Sequence, residues 1–193
     1  VELLGAAKLT GQVGSLRYGV LGAFEDETRF DVDGARLTQD GSNYSALRMV
    51  YEGGHNGDYR GLGMIASHVG HSERKATVAG LDGHYLSPNG TWKIDTAAFV
   101  SDIDDEFFAA GNGTGYGGLF DAVYTPRQGL NFSLGLSAFD DRFQINDLGF
   151  LRRNDAVNLR LGAEWRGASD GWWRNYEISP FVQQEWNGDG DMT

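Results

Sequence analysis

The chain has 193 residues, of which 29 are glycine, three are proline and none is cysteine. Without cysteine it has no disulfide framework and no thiolate metal site. Its formal net charge of −11 argues against a nucleic-acid partner, because a nucleic-acid backbone is itself strongly negative. No run of about 20 apolar residues is present, so the sequence predicts no transmembrane helix.

Apolar and polar residues alternate with a period of two along most of the chain, which predicts β-strands with one apolar and one polar face. In NLRLGAEWRG (158–167), for example, Leu159 and Leu161 alternate with Arg160 and Glu164. The pattern predicts about ten strands and no helix of useful length. The predicted strands are residues 1–11, 15–26, 43–54, 58–70, 74–87, 90–102, 115–126, 130–143, 156–167 and 174–187.

The predicted strands are long and their connections alternate in length. Most of them have about 11–14 residues, whereas globular strands usually have about 5–6. Short turns such as SPNG alternate with long connections at residues 27–42, 104–113 and 143–154, although the short HSE turn breaks the alternation. Residues 31–40 (DVDGARLTQD) are interpreted as loop, because an extra strand there would spoil this alternation. Long strands with short turns at one end and long loops at the other are typical of outer-membrane barrels.

The two faces of these strands differ in polarity, which predicts lipid on one side and a polar lumen on the other. The predicted lipid-facing residues are Leu130, Phe132, Leu134, Leu136, Val157, Leu159, Leu161, Ile178 and Val182. The predicted lumen-facing residues are Lys8, Arg17, Arg48, Asp82, Lys93, Asp95, Asn131, Ser133, Arg160, Glu164, Glu177, Gln183 and Glu185. Aromatic residues near strand ends resemble the girdles at membrane interfaces, namely Trp92, Tyr116, Tyr124, Trp165, Tyr176 and Trp186. The charged set fits a wall network of ion pairs, a polar path or a sugar-binding wall.

We therefore expect an all-β, antiparallel up-and-down meander that forms part of a transmembrane β-barrel of the outer-membrane type. Residues 1–193 are expected to be a fragment of one barrel domain, with the rest of the chain not present. The expected role is non-enzymatic, in envelope transport or glycan handling, with membrane lipid and a glycan or another envelope protein as partners. Two alternatives are a soluble β-sandwich binding module of the carbohydrate-binding type and a barrel-embedded hydrolase.

The histidines do not form a recognisable site in the sequence. His68 and His71 are three residues apart, which on a strand places them on opposite faces and is poor for one metal. Ser67 and His68 are neighbours and also face opposite ways, so they are not a nucleophile and its base. We expect the four histidines, which include His55 and His84, to be solvated in loops or at the rim. No catalytic residue is predicted.

One acidic loop is a candidate for a structural calcium, the only cofactor that the sequence indicates. Asn187, Asp189 and Asp191 match the first three ligand positions of a calcium loop. The glutamate that such a loop needs lies beyond the end of the sequence. The alternative is an acidic surface loop.

The stretch NDLGFLRRND (146–155) carries two arginines beside acidic and amide residues. Arg152 and Arg153 next to Asn154 and Asp155 could clamp a loop onto the rim through arginine–carboxylate contacts. The alternative is recognition of an anionic group such as a lipid A phosphate or a uronic acid. We favour the clamp, because such a cluster is more often a loop anchor.

Three stretches carry a resemblance to a known family. FQINDLGFLRRND (143–155) resembles a signature of the bacterial family catalogued as domain of unknown function 5916. LLGAAKLTGQVGSLRYGVLGAF (3–24) and ATVAGLDGHYLSPNGTWKIDTAAFVSD (76–102) resemble the same family, in the same order. The resemblance implies a C-terminal β-barrel in the bacterial outer membrane, usually preceded by a domain similar to carbohydrate-binding modules. It implies no particular reaction.

Overall fold

The computed structural model describes residues 2–32, 35–106, 112–146, 149, 151–168 and 174–192. Its strands are β1 (Leu3–Val13), β2 (Leu16–Glu25), β3 (Thr28–Val32), β4 (Ala35–Gln39), β5 (Asn43–Gly53), β6 (Tyr59–Gly70), β7 (Arg74–Leu86), β8 (Trp92–Asp105), β9 (Gly113–Arg127), β10 (Leu130–Phe139), β11 (Ala156–Ala168), β12 (Asn175–Ile178) and β13 (Phe181–Trp186). Among the described residues, no helix is long and apolar enough to cross a membrane.

All strands except β3 and β4 form one antiparallel sheet that follows chain order, with β12 and β13 both paired to β11. The prediction of an all-β antiparallel meander is therefore confirmed. In the described part of the chain, β1 lies at one edge, β12 and β13 lie at the other, and no pairing joins the two edges. The described strands are thus an open single layer, which is not the arrangement of a β-sandwich.

The connection between β2 and β5 contains the hairpin β3–β4, so the prediction that residues 31–40 form only a loop is wrong. Thr28–Val32 and Ala35–Gln39 flank an Asp-Gly dipeptide, which is a strong hairpin signal. The hairpin pairs with no strand of the main sheet. It therefore lengthens one connection without adding a strand to the meander.

The strand predicted for residues 130–143 ends earlier, at Phe139. The side chain of Asp140 turns the chain there, since its carboxylate accepts hydrogen bonds from the backbone N–H of Tyr116 (2.7 Å) and of Arg142 (3.1 Å). Such bonds from an aspartate to nearby backbone compete with the ladder of a sheet. Residues 140–143 consequently belong to the β10–β11 connection.

The strand predicted for residues 174–187 is interrupted at Pro180, because proline has no N–H to donate to β11. The Pro180 carbonyl still accepts the N–H of Ala163 at 3.0 Å. The register is the same on both sides of the interruption, with Ile178 opposite Trp165 and Phe181 opposite Gly162. The proline removes a ladder bond but moves no side chain to the other face.

Register also assigns each residue of the main sheet to one of two faces, because directly paired residues point the same way. One row runs through Leu161, Leu134, Ala122, Ile94 and Tyr85, and defines what we call the apolar face. The neighbouring row runs through Arg160, Gly135, Asp121, Asp95 and His84, and defines the polar face. The residues predicted to face lipid all lie on the apolar face, and those predicted to face a lumen all lie on the polar face.

Within the described residues, neither face of the main sheet is covered by a second layer. The chain exposes 13068 Å², whereas a globular monomer of 21.1 kDa exposes about 9000 Å². Among the described residues, the buried hydrophobic side chains are Val69, Ala76, Ile103, Phe143 and Ala156. Large apolar residues of the apolar face such as Leu62 and Leu81 are about three-fifths exposed, at 64% and 61%. The sheet therefore has almost no hydrophobic core of its own.

The strands are also staggered in a constant direction. Leu16 is the first residue of β2, and its row of paired residues continues through Tyr51, Leu62, Gly83, Thr96, Phe120, Leu136 and Leu159. Leu159 lies nine residues before the end of β11 at Ala168. Over these seven steps between strands, the shift corresponds to a tilt of about 40°, from ~3.3 Å per residue and ~4.8 Å between strands.

The register can be tested by cross-linking, because the chain has no cysteine of its own. Ser133 is directly opposite Val123, and Cβ atoms of such pairs are close enough for a disulfide. We expect the double variant Ser133→Cys and Val123→Cys to cross-link on mild oxidation, as measured by peptide mapping. The double variant Ser133→Cys and Leu119→Cys is the control, since Leu119 lies four residues further along β9. Equal cross-linking of both pairs would contradict the register.

Candidate functional site on the polar face

A cluster of charged residues on the polar face is centred on Asp82 of β7. The Arg48 guanidinium from β5 contacts both oxygens of the Asp82 carboxylate, with Nη2 at 2.8 Å from Oδ2. On the other side, His84 Nε2 lies 2.8 Å from Asp82 Oδ2. The Asp82 side chain is only 13% exposed, so this carboxylate depends on its two partners for compensation of its charge.

The same cluster continues to β8 through His84. His84 Nδ1 lies 2.7 Å from Asp95 Oδ1, and Lys93 Nζ lies 2.9 Å from Asp95 Oδ2. Both ring nitrogens of His84 therefore face carboxylate oxygens. A neutral imidazole has one N–H, so only the protonated ring donates to both carboxylates.

An adjoining group of three side chains links β2, β5 and β6. Arg17 contacts Glu52, and the hydroxyl of Tyr59 donates to Glu52 Oε1 at 2.7 Å. The Glu52 side chain is 25% exposed, whereas Arg17 is 55% and Lys93 is 62% exposed. The acidic groups thus lie deeper than the basic groups. The outer surface of the cluster is basic, although the chain as a whole has a net charge of −11.

Gly63 explains why Arg48 and Asp82 can meet across β6. It is directly opposite both Val50 and Asp82, between the strands that carry the pair. A Cβ at this position would collide with the Arg48 guanidinium and the Asp82 carboxylate. The missing side chain leaves the space in which the bidentate ion pair lies.

Two cavities open beside the cluster. One has a volume of about 530 Å³ and is lined by Lys8, Arg17, Leu21, Arg48 and Ile65 among others. The other has about 420 Å³ and is bordered by Arg17, Arg48, Glu52, Tyr59, His84, Lys93 and Asp95 among others. They share Arg17, Arg48 and Val50, so they are two parts of one groove on the polar face.

The charged residues of β11 and β12 form a separate group on the same face. Arg166 contacts Glu164 at 3.0 Å and Glu177 at 3.1 Å, and the side chains of Arg166 and Glu177 are more than half exposed. Arg160 lies over the ring of Phe181, 5.1 Å from its centroid. The structure thus divides the predicted lumen-facing set into two groups. That this face lines a lumen stays a prediction.

The two arginines of the expected clamp share one carboxylate. Arg152 and Arg153 lie 3.2 Å and 3.3 Å from the oxygens of Glu185 on β13, a residue of the polar face. Asp155 accepts the backbone N–H of Gly188 at 2.7 Å. These contacts attach the end of the β10–β11 connection to the last strand. In the alternative interpretation, an anionic ligand would contact these arginines in place of Glu185.

The start of the same connection is fixed by Phe143, which sequence reasoning placed in a strand. Its side chain is 1% exposed and stacks on Phe139, with ring centroids 5.3 Å apart. The next residue, Gln144, donates its backbone N–H to the fully buried Ser101 Oγ at 3.0 Å. A Cβ on Gly115 would collide with the backbone of Phe143, so this glycine shapes the slot. The loop therefore folds over the polar face.

The calcium candidate forms a compact turn. Asn187 Oδ1 accepts the backbone N–H of Asp191 at 2.7 Å, and the N–H of Asn187 donates to the Asp191 carbonyl at 3.0 Å. Within the residues that the structure describes, no group of three or more histidines, cysteines or acids is arranged to hold a metal ion. Asn187 thus has a structural role in this turn, and the calcium stays a prediction.

The histidines differ in their surroundings. His68 lies on the apolar face and His71 just beyond β6, bonded to Thr77 Oγ1 (2.9 Å) and the Asp40 carbonyl (3.0 Å) respectively. The backbone N–H of His55 donates to Asp58 in the turn before β6 and holds the pKa of Asp58 below its ordinary value. His84 lies inside β7, although we expected it in a loop or at the rim. In the sequence, its position two residues after Asp82 indicated that the two side chains share one face of a strand.

Comparison with known proteins adds one finding. The family model described as "Domain of unknown function (DUF5916)" matches residues 1–191. The chain belongs to this family. No curated protein and no solved structure is detectably similar to it. The matched residues of this DUF5916 chain include nearly the whole sheet, both charged groups and the β10–β11 connection. The family assignment implies no particular reaction.

The slot around Phe143 predicts how the loop is held. Phe143→Ala removes a buried ring, which costs about 3–5 kcal/mol of attachment free energy. We expect trypsin cleavage at Arg142, Arg152 and Arg153 to accelerate at least about 100-fold, because cleavage follows the population of the detached loop. Cleavage sites and rates are measured by mass spectrometry.

Gly115→Ala should have a similar effect on this cleavage, since its Cβ collides with the Phe143 backbone. Gly22→Ala is the matched control, because the nearest atom to its Cβ is 4.0 Å away. An unchanged cleavage rate in both Phe143→Ala and Gly115→Ala would show that Phe143 does not hold the loop.

The burial of Asp82 predicts that its removal destabilises the protein more than the removal of an exposed acidic residue does. Asp82→Ala leaves Arg48 and His84 without their shared acceptor, and we expect the free energy of unfolding to fall by about 1–3 kcal/mol. Glu177→Ala breaks an exposed pair with Arg166 and should leave stability almost unchanged. Urea unfolding of both variants measures the difference. Equal destabilisation would show that the Asp82 cluster is no more than a surface ion pair.

Proposed function

We propose that this sheet is part of the wall of a β-barrel in the bacterial outer membrane, with the apolar face toward lipid and the polar face toward a lumen. The proposed role is non-enzymatic, in envelope transport or glycan handling. The observation that carries the proposal is the exposed, nearly uncharged apolar face of a sheet that has no second layer. In water such a face would be an aggregation or interaction surface. In a bilayer it is the expected exterior of a barrel.

The aromatic residues support this orientation. Trp92, Tyr124, Trp165 and Tyr176 lie on the apolar face near the short-turn end of the sheet. The rings of Trp92 and Tyr124 contact each other there, with centroids 4.5 Å apart. Tyr116 and Trp186 lie on the same face toward the long-loop end. Two bands of aromatic residues at opposite ends of one face match the girdles that contact membrane interfaces.

The stagger supports the same proposal. A tilt of about 40° lies within the ~35–45° that strands of barrels adopt. Short connections at residues 14–15, 54–58, 87–91 and 128–129 all lie at one end. The long connections at 26–42 and 140–155 lie at the other end, as in outer-membrane barrels.

The hydrolase alternative has no support in the described strands. Ser67 is paired with Val78 on the polar face, and His68 is paired with Thr77 on the apolar face. The two side chains therefore point to opposite sides of the sheet and cannot exchange a proton directly. A nucleophile and its base would have to come from different residues.

Single cysteines at neighbouring positions test the proposal in the intact protein. In outer-membrane preparations, we expect a water-soluble maleimide to label Ser133→Cys at least about tenfold faster than Leu134→Cys, because only the former faces a polar lumen. A fluorophore at position 134, and not at 133, should be quenched by a lipid-phase quencher. Equal labelling and equal quenching at both positions would refute the lipid-facing assignment.

Charge substitution gives a second measurement of the same assignment. Leu134→Arg places a charge near the middle of the apolar face and should block membrane assembly, since this costs about 2–4 kcal/mol at a bilayer midplane. Ser133→Arg is the matched control and should assemble. Assembly is measured by heat-dependent mobility on a gel after detergent extraction. A Leu134→Arg protein that assembles normally would count against the proposal.

A further inference from the structure

The larger of the two cavities beside the charged cluster lies over a position without a side chain. Gly19 of β2 is directly opposite Thr10 and Arg48 on the polar face. Its neighbours in the rows above and below include Leu21 and Val50. The missing side chain leaves a hollow with a volume of about 530 Å³. This is within the ~300–1,000 Å³ of sites that bind small organic molecules.

The hollow combines an apolar floor with a basic border. Leu21, Ala46, Val50 and Ile65 line it, and Leu21 and Ile65 remain 37% and 38% exposed there. These apolar side chains lie directly beside the ion pairs of Arg17 and Arg48. A ligand that covers them is stabilised by the hydrophobic effect, in proportion to the apolar area that it removes from water.

The border contains three cations and no carboxylate. Lys8, Arg17 and Arg48 line the hollow, whereas their acidic neighbours Glu52 and Asp82 do not. Arg17 and Arg48 are held in place by those two acids. Lys8 makes no hydrogen bond or ion pair with the residues that the structure describes. Its ammonium group is thus available to a ligand.

We propose that this hollow binds a small amphipathic organic anion, with an apolar body on Leu21, Val50 and Ile65 and an anionic group at Lys8 and Arg17. The class comprises carboxylates, sulfonates and phosphate esters with a ring or short chain. The proposal rests on the proposed function, because the polar face must be open to water for a solute to enter. It names the class of solute that the proposed lumen takes.

Calorimetry on the intact protein in a non-ionic detergent tests the binding site, with 2-naphthoate as the probe and micelles alone as the blank. We expect 2-naphthoate to bind at least about tenfold tighter than neutral 2-naphthamide, because a partly desolvated charge pair contributes on the order of a factor of ten. Equal affinity for the two compounds would overturn the proposal.

Two glycines on the same strand provide a matched pair of variants. Gly19→Val fills the hollow, and the nearest atom to its Cβ is Thr10 Cγ2 at an ordinary 3.5 Å, so the sheet can accept it. Gly22→Val adds the same side chain on the apolar face, where the nearest atom is 4.0 Å from the Cβ. We expect Gly19→Val to weaken 2-naphthoate binding more than about tenfold and Gly22→Val to leave it unchanged. Equal binding by both variants would overturn the proposal.

A variant that removes a charge tests the binding site without filling the hollow. Lys8→Gln should weaken 2-naphthoate binding about five- to tenfold and leave 2-naphthamide unaffected. Lys75→Gln, on the apolar face, is its control and should change neither affinity. Equal effects of the two lysine variants would overturn the proposal. The maleimide labelling at Ser133 needs no ligand, so a normal labelling pattern without naphthoate binding would refute the hollow alone and leave the barrel intact.

Discussion

The antiparallel hydrogen-bond ladder is the constraint on which the rest of this structure depends. Each strand pairs only with its neighbours in the chain, so the register of one pair fixes the faces of the next. Because successive side chains alternate, a slip of one residue would move Leu161 and Arg160 to each other's side. The uncovered apolar face, the charged cluster and the buried loop anchor all follow from one continuous register from Lys8 to Glu185.

The polar face uses glycine for two opposite purposes. At Gly63 the missing side chain is filled by the Arg48–Asp82 pair, and at Gly115 by the backbone of Phe143. At Gly19 the space stays open. Some glycine positions of this face are therefore occupied by other groups and one is empty. This difference distinguishes the stabilising ion-pair network from the hollow that has room for a solute. Charge alone would not distinguish them.

Sequence reasoning predicted most of this fold because a period of two is a strong signal when it persists for ten residues or more. It correctly predicted the meander and the division of residues such as Ser133 and Leu134 between two faces. It failed where local effects outweigh periodicity. Pro180 interrupts a strand without changing its parity, and Asp140 ends β10 through bonds to the backbone. The β3–β4 hairpin forms at an Asp-Gly dipeptide, although the alternation of connection lengths favoured a loop there. The contacts of Phe143 depend on β8 and β9, which are distant from it in sequence, so no single stretch reveals them.

The nearest-neighbour order of the sheet has a consequence for the way the chain folds. Val13 pairs with Leu16 and Arg127 with Leu130, so many contacts close after only a few residues. A contact that closes after a few residues forms faster than a distant pairing, because little chain entropy is lost before it is made. The two slowest closures are then the long ones, at residues 26–42 and 140–155. Successive hairpins between these points, from β5 to β10, form the natural first unit, and the ends of the sheet join it later.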